Sequence, residues 1–316
     1  MNFGALVKQE IISKLPKDSC CKKAFLAGFI RGSGAITDEN GNIGLIFYVT
    51  GENTAAYIET LLSDVFGVVY REVSVYKDRL NNRDRFCLSV SGEKAKTILT
   101  ELGVLVGKEN GEYSVNLRIF DKVAEKDCCI HAFFRGLFLA SGSCSVPSEL
   151  TSAKTGFHAE LTFSHSTPAL LAGEKLLSYG VKTKITRRKE FFVVYIKSEE
   201  EIKNFVAFLQ TPKMVLKLTD MIIERELSNM SNRQANCDIG NVNRQLEATE
   251  KHITAINKII EKKGLDYLKE DLKITAIARL EFKGDTLSEL AERLNISKSC
   301  LNHRLRKIVA VSEELQ

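Results

Sequence analysis

Along this chain the spacing of apolar residues switches between the 3.6-residue period of a helix and the 2-residue period of a half-buried strand, and the same succession occurs twice. After a leading helix that includes residues 20–28, residues 43–50 alternate as a strand and 53–66 read as a helix. Residues 68–76 and 85–90 then form a charged hairpin, and 92–102 are helical again. From residue 128 the order repeats: strand 158–164, helix 168–179, hairpin 182–187 with 191–196, helix 199–209. A short strand near Ala35 and Ile36, matched by Cys144, Ser145 and Val146, completes two α-β-β-α-β-β-α units. Helices mixed with antiparallel hairpins inside each unit predict an α+β fold.

The repetition extends to the residues themselves. Cys20-Cys21-Lys22-Lys23-Ala24-Phe25-Leu26-Ala27-Gly28 recurs as Cys128-Cys129-Ile130-His131-Ala132-Phe133-Phe134-Arg135-Gly136, an offset of 108. Ser33-Gly34 maps to Ser141-Gly142, and Arg79 to Arg187. Small residues stand four apart in each leading helix, Gly28 and Gly32 in the first, Gly136 and Ala140 in the second. One turn brings i and i+4 onto one face, so a strip without side chains lets two helices approach closely. The two strips are expected to pack on each other and to hold the half-domains together as a pseudo-dimer.

After Pro212 the strand pattern disappears. Residues 214–227 read as a helix, 228–240 as a polar, turn-rich break, 242–262 as a second long amphipathic helix and 265–282 as a third. Thr286-Leu287-Ser288-Glu289 then has the form of a capping box, in which the hydroxyl accepts from the N3 amide and the carboxylate reaches back. Leu287, Leu290, Ala291 and Leu294 line one face of the helix that follows. Asn295 tolerates a left-handed turn, Ile296 plugs the corner and Ser297 can cap a further helix, which together predict a helix-turn-helix.

On that last helix Leu301, Leu305 and Ile308 form an inward stripe at i, i+4 and i+7. Ser299, Asn302, His303 and Arg306 face the other way, with Lys298, Arg304 and Lys307 around the edges. Residues 298–307 hold four Lys or Arg and no Asp or Glu, a face suited to a phosphate-lined groove. Lys298, Ser299, Asn302, His303 and Arg306 are expected toward base edges, because Asn pairs with adenine and Arg with guanine in the major groove. Arg304 and Lys307 are expected on phosphates, and the expected partner is double-stranded DNA.

Composition adds bounds. A length of 316 residues exceeds one ordinary core. The expected divisions are repeats at 1–110 and 111–212, a helical linker at 213–240 and a helix-turn-helix domain at 241–316. A net charge of +5 permits a polyanion partner without demanding one. There is no run of about 18 apolar residues and no apolar segment before a small-residue cleavage site near the start, so a cytoplasmic, nucleoid-associated protein with no membrane partner is expected. The eight cysteines comprise the neighbouring pairs Cys20-Cys21 and Cys128-Cys129 and four scattered singles, with no CxxC spacing. They read as reduced, mostly buried small hydrophobes, and no metal site, cofactor or small-molecule substrate is expected.

Leu26-Ala27-Gly28-Phe29-Ile30-Arg31-Gly32-Ser33-Gly34 resembles the LAGLIDADG motif of homing endonucleases, and Phe134-Arg135-Gly136-Leu137-Phe138-Leu139-Ala140-Ser141-Gly142 is similar to a more degenerate copy. The resemblance implies two motif helices packed at the centre of a pseudo-symmetric saddle. It also implies an acidic metal ligand at the eighth motif position, where this chain has Ser33 and Ser141. A neutral hydroxyl offsets little of a hard cation's charge, so both metal sites are expected to be lost. Asp38 and Glu39 lie nearby, in a turn with Asn40 and Gly41 where acids are ordinary. Hairpin cations at Lys77, Arg79, Arg83, Arg85, Arg187, Arg188 and Lys189 are either solvated or phosphate-directed.

A motif-depleted LAGLIDADG domain followed by a helix-turn-helix resembles the WhiA family of Gram-positive bacterial regulators. Phe3 with Val7-Lys8-Gln9-Glu10, the segment Asn232-Arg233-Gln234-Ala235-Asn236-Cys237-Asp238-Ile239-Gly240-Asn241 and the closing Leu287-Ser288-Glu289-Leu290-Ala291 all look like that family. The resemblance implies a non-enzymatic transcription regulator in sporulation, or in cell division and chromosome segregation, with a possible protein co-regulator. Two competing readings are an active homing endonuclease, which needs carboxylates at positions 33 and 141, and a saddle that serves as a protein-docking platform.

Overall fold

The computed structural model describes residues 2–39, 41–68, 73–77, 84–109, 112–147 and 156–315, with backbone alone at 73–77 and 84–85. It divides into compact units at residues 1–224 and 225–316.

The first unit opens on α1 (Phe3–Ile12), where the Asn2 side chain caps the Ala5 amide at 2.9 Å. Sequence periodicity assigned no element here, because ten residues contain only three inward turns. Then come α2 (Ser19–Ser33), β1 (Gly34–Glu39), β2 (Asn42–Thr50), α3 (Glu52–Phe66), β3 (Val73–Lys77), β4 (Asp84–Ser91) and α4 (Glu93–Glu101). After the three-residue strands β5 (Leu105–Gly107) and β6 (Tyr113–Val115), the series resumes with α5 (Asp127–Ser141), β7 (Ser143–Ser145), β8 (His158–Phe163), α6 (Ser166–Ser178), β9 (Lys184–Arg188), β10 (Phe191–Lys197) and α7 (Glu199–Phe208). The two four-stranded sheets have orders β1-β2-β4-β3 and β7-β8-β10-β9, antiparallel throughout, so the second copies the first strand for strand. Along β8 every second residue is buried, as one core-facing side requires.

The two leading helices pack along their small-residue strips, as expected. A Cβ built on Gly28 would lie 2.8 Å from the Phe133 carbonyl carbon and 3.1 Å from the Leu137 amide nitrogen. On Gly136 it would lie 2.9 Å from the Phe25 carbonyl carbon and 3.0 Å from the Phe29 amide nitrogen. The reciprocal contacts are those of a pseudo-twofold. Backbone meets backbone there, and only glycine leaves the room. Around the crossing Phe25, Phe29, Phe133, Phe134 and Phe138 are fully buried, each contributing about 1.5–3 kcal/mol of transfer free energy.

The expected break at 228–240 is absent: α8 runs without interruption from Pro212 to Lys263. Its polar middle contains no proline, and a single Gly240 costs a helix only about 1 kcal/mol. Exposed polar residues along it pair one turn apart, as Gln234 Nε2 does with Asp238 Oδ1 at 3.0 Å. The start of α8 is capped from afar, with both Glu10 carboxylate oxygens accepting from the Lys213 and Met214 amides at 3.0 and 2.9 Å.

In the second unit a 3-10 turn at Leu265–Tyr267 precedes α9 (Glu270–Glu281), α10 (Leu287–Arg293) and α11 (Lys298–Glu314). The expected single helix over 265–282 therefore splits, because Leu268 and Lys269 are extended and Leu268 turns inward. A separate apolar core joins Ile256, Ile259, Leu272, Ala276, Leu290, Leu301, Leu305 and Ile308.

Candidate nucleic-acid interface

The helix-turn-helix is built by local chemistry first. Thr286 Oγ1 accepts from the Glu289 amide at 3.2 Å, and Glu289 Oε2 accepts from the Thr286 amide at 2.7 Å, closing the capping box. The bond from the Thr286 amide, with the Thr286 hydroxyl beside it, holds the Glu289 carboxyl below its ordinary pKa. Asn295 adopts φ +52°, and the Ile296 amide donates to the Ala291 carbonyl at 3.0 Å, which turns the chain. Ser297 Oγ then accepts from the Cys300 amide at 3.2 Å and starts α11.

Packing then fixes which side of α11 faces out. Leu301, Leu305 and Ile308 are fully buried, while Lys298, Ser299, His303, Arg306 and Lys307 are exposed and Asn302 is half-buried. Six of the seven predicted contact residues thus lie on or beside one open face. Arg304 behaves differently: it is turned toward α9, its Nε 3.8 Å from Asp271 Oδ2 and one guanidinium nitrogen 3.4 Å from the Asp271 carbonyl.

Residues that periodicity did not single out hold and flank this face. Arg279, only 1% exposed, donates to the Asp285 carbonyl at 2.9 Å and the Phe282 carbonyl at 3.4 Å, clamping the turn before α10. Arg293 pairs with Asp285 and lies 4.2 Å over the Phe282 ring. A cleft of about 450 Å³ is lined by Arg244, His252, Arg279, Thr286, Ser288 and Lys298 among others. Burial, then the charges of Arg279 and Lys251, pushes the His252 pKa down. Arg244, Ala248 and His252 stand at i, i+4 and i+8 on α8, a spacing legible in the sequence, which already predicts a helix over 242–262.

In the first unit the two motif serines end their helices. Ser33 Oγ donates to the Phe29 carbonyl at 3.2 Å and Ser141 Oγ to the Leu137 carbonyl at 3.3 Å, each four residues back. Asp38 Oδ1 accepts from the Gly41 amide at 2.8 Å, which commits that carboxylate to its turn. A cavity of about 740 Å³ is lined by Lys8, Phe29, Glu52, Leu139 and Ser143 among others. Burial there brings the Lys8 pKa down to about 8. Of the hairpin cations, Arg187, Arg188 and Lys189 are exposed, with Arg188 3.1 Å from Glu160. Arg79 and Arg83 lie outside the described residues, as do the side chains of Lys77 and Arg85.

The cysteines depart from the expectation of burial: Cys21, Cys129 and Cys144 are buried, but Cys20, Cys128 and Cys237 are exposed. The two neighbouring pairs, far apart in sequence, meet in one cluster.

No helix among the described residues is long and apolar enough to cross a membrane. Three family models match the chain: the WhiA N-terminal LAGLIDADG-like domain over residues 19–105, the WhiA LAGLIDADG-like domain over 130–228 and the WhiA C-terminal HTH domain over 231–312. A protein of Oceanobacillus iheyensis called "Probable cell division protein WhiA" is 30% identical over 319 residues, spanning 100% of this chain and 98% of that protein. Its namesake in Halalkalibacterium halodurans is 32% identical over 322 residues, spanning 100% and 97%. The crystal structure of full-length DUF199/WhiA from Thermatoga maritima matches with a TM-score of 0.57 at 21% identity, covering 100% of this chain and 99% of that one, which supports the fold. Two LAGLIDADG-like repeats joined through their motif helices and followed by a helix-turn-helix, together with full-length identity to these relatives, place the chain in the WhiA family.

Proposed function

We propose that this chain is a sequence-specific DNA-binding transcription regulator whose LAGLIDADG-like domain holds without cutting, acting in cell division as its relatives' names suggest and residing at the nucleoid. The observation that carries the reading is the exposed face of α11. A capped turn and a buried apolar stripe hold out Lys298, Ser299, Asn302, His303 and Arg306, with Lys307 at the edge and no acid within residues 298–307. Ser299, Asn302, His303 and Arg306 read bases, and Lys298 shares the base-reading end with the amides of the first turn. Lys307 contacts phosphate. Arg304 reaches phosphate only by leaving Asp271.

Loss of nuclease activity follows from the hydroxyls at positions 33 and 141, each of which donates to its own helix and brings no negative charge to a hard cation. Incubating supercoiled plasmid with the full chain and magnesium or manganese is expected to leave it intact. Specific nicking that disappears with chelator would overturn this part of the reading.

The DNA-binding part is tested by a genome-wide binding profile of the full chain beside one lacking residues 286–316. Loss of discrete peaks on deletion supports the reading; unchanged peaks refute it. Whether the saddle adds a second DNA contact or docks a protein is read from the same truncation. The pairing of Arg188 with Glu160 leaves less free positive charge on that hairpin and favours docking, in which case no salt-sensitive affinity survives the deletion.

A further inference from the structure

Cys20 and Cys21 are the second and third residues of α2, and Cys128 and Cys129 are the second and third residues of α5. The pseudo-twofold that brings Gly28 against Phe133 and Gly136 against Phe25 brings the N-terminal ends of the two helices together as well. All four Sγ atoms lie within 4.8 Å of one another, with Cys128 and Cys129 Sγ 3.9 Å apart, and all four are free thiols.

That spacing has a direct chemical comparison. A tetrahedral zinc ion with Zn–S bonds of about 2.3 Å sets its four sulfurs about 3.8 Å apart. The cluster therefore needs a contraction of at most about 1 Å per pair, within reach of side-chain rotation while both helix backbones stay in place. We propose that Cys20, Cys21, Cys128 and Cys129 form a tetrathiolate site for one thiophilic divalent ion, zinc foremost, tying together the N-terminal ends of the two central helices.

The surroundings agree with that assignment. Both thiol pairs sit in the first helical turn, where the positive end of the helix dipole favours thiolates. The nearby Asp127 carboxylate accepts from the Tyr179 hydroxyl at 2.6 Å. Without an ion, four negative sulfurs in so small a volume repel one another. Zinc would displace the protons, so uptake should weaken as pH falls.

Four sulfurs would fill the ion's coordination sphere and leave no open position, which makes the site structural. It is separate from the eighth motif positions. Ser33 lies twelve residues along α2 from Cys21, about 18 Å at 1.5 Å per residue.

The test uses the full chain, purified under reducing conditions, with zinc and cobalt as probes. Elemental analysis is expected to find one zinc ion per chain. Cobalt added to demetallated protein should give the visible bands of a tetrahedral site together with thiolate-to-cobalt charge transfer. The Cys20→Ser/Cys128→Ser double variant should lose the ion, whereas Cys237→Ser should keep it. If the double variant fails to fold, the cobalt spectrum of the wild type still decides. No zinc uptake by the reduced chain, a cobalt spectrum without charge transfer, or equal zinc retention in the double variant would overturn the proposal.

Discussion

The sharpest expectation for α11 compares three alanine variants at neighbouring cations. Arg306 and Lys307 are both exposed, and at 100° per residue they lie about 50° to opposite sides of the line directly away from Leu301, Leu305 and Ile308. Arg306 points along the same side as Asn302, so its loss should remove a base contact of about 1–3 kcal/mol. That is about 5- to 150-fold at a preferred site, with little effect on random duplex. Lys307→Ala should instead remove one phosphate contact, weakening all sequences alike and reducing the magnitude of the logarithmic salt slope by about 0.9. Arg304 is 23% exposed and held by Asp271, so Arg304→Ala should change the slope by less than Lys307→Ala. Fluorescence anisotropy with a preferred and a random duplex at several salt concentrations separates the three outcomes. Equal losses for Arg306→Ala and Lys307→Ala on both duplexes would refute the assignment of roles.

Other outcomes follow from the packing and the charges. Gly28→Ala forces a methyl into backbone on the facing helix, where neither side can move independently. The upper end of overpacking costs, about 3 kcal/mol, lowers the first unit's Tm by about 6–12 °C; a calorimetric shift under 2 °C would contradict the close helix approach. Thr286→Ala removes half the capping box and should cost the second unit about 1 kcal/mol in urea unfolding, whereas Thr286→Ser should stay near wild type. Burial brings Lys8 down to about 8 in the folded chain, so between about pH 8 and 10.5 the unfolded chain binds the extra proton and stability rises with pH. Lys8→Met should therefore raise Tm at pH 7, with the gain shrinking by pH 10; a gain that grows with pH would reverse the sign.

Elements whose stabilising interactions are local were legible early. The capping box at Thr286, the left-handed Asn295 and the Ser297 cap each depend on residues within a few positions, and the structure contains them as read. The small-residue strips were also legible, because the repeat duplicates them and helical spacing puts them on one face. Misreadings arose where a local cue had two physical outcomes. Polar residues at 228–240 suit a turn or an exposed helix equally well, and the absence of proline left the helix available. Arg304 has the same charge as Lys307, yet only the proximity of α9 turned it toward Asp271. The repeat aligned Cys20-Cys21 with Cys128-Cys129, but spacing rules for metal ligands search within short windows, and only the parallel packing of α2 and α5 put the four thiols in one place.

By itself, the order of residues determined the twofold α-β-β-α-β-β-α plan, the serines at the two motif positions and the helix-turn-helix with its acid-free outer stretch. These depend on periodicity, capping and side-chain identity, which act over a few residues. Tertiary structure alone decided that Glu10 caps α8, that Arg279 clamps the turn before α10 and that four cysteines share one volume. Each of those depends on chain segments distant in sequence meeting at a few ångströms, and it is the packing of cores that brings them there.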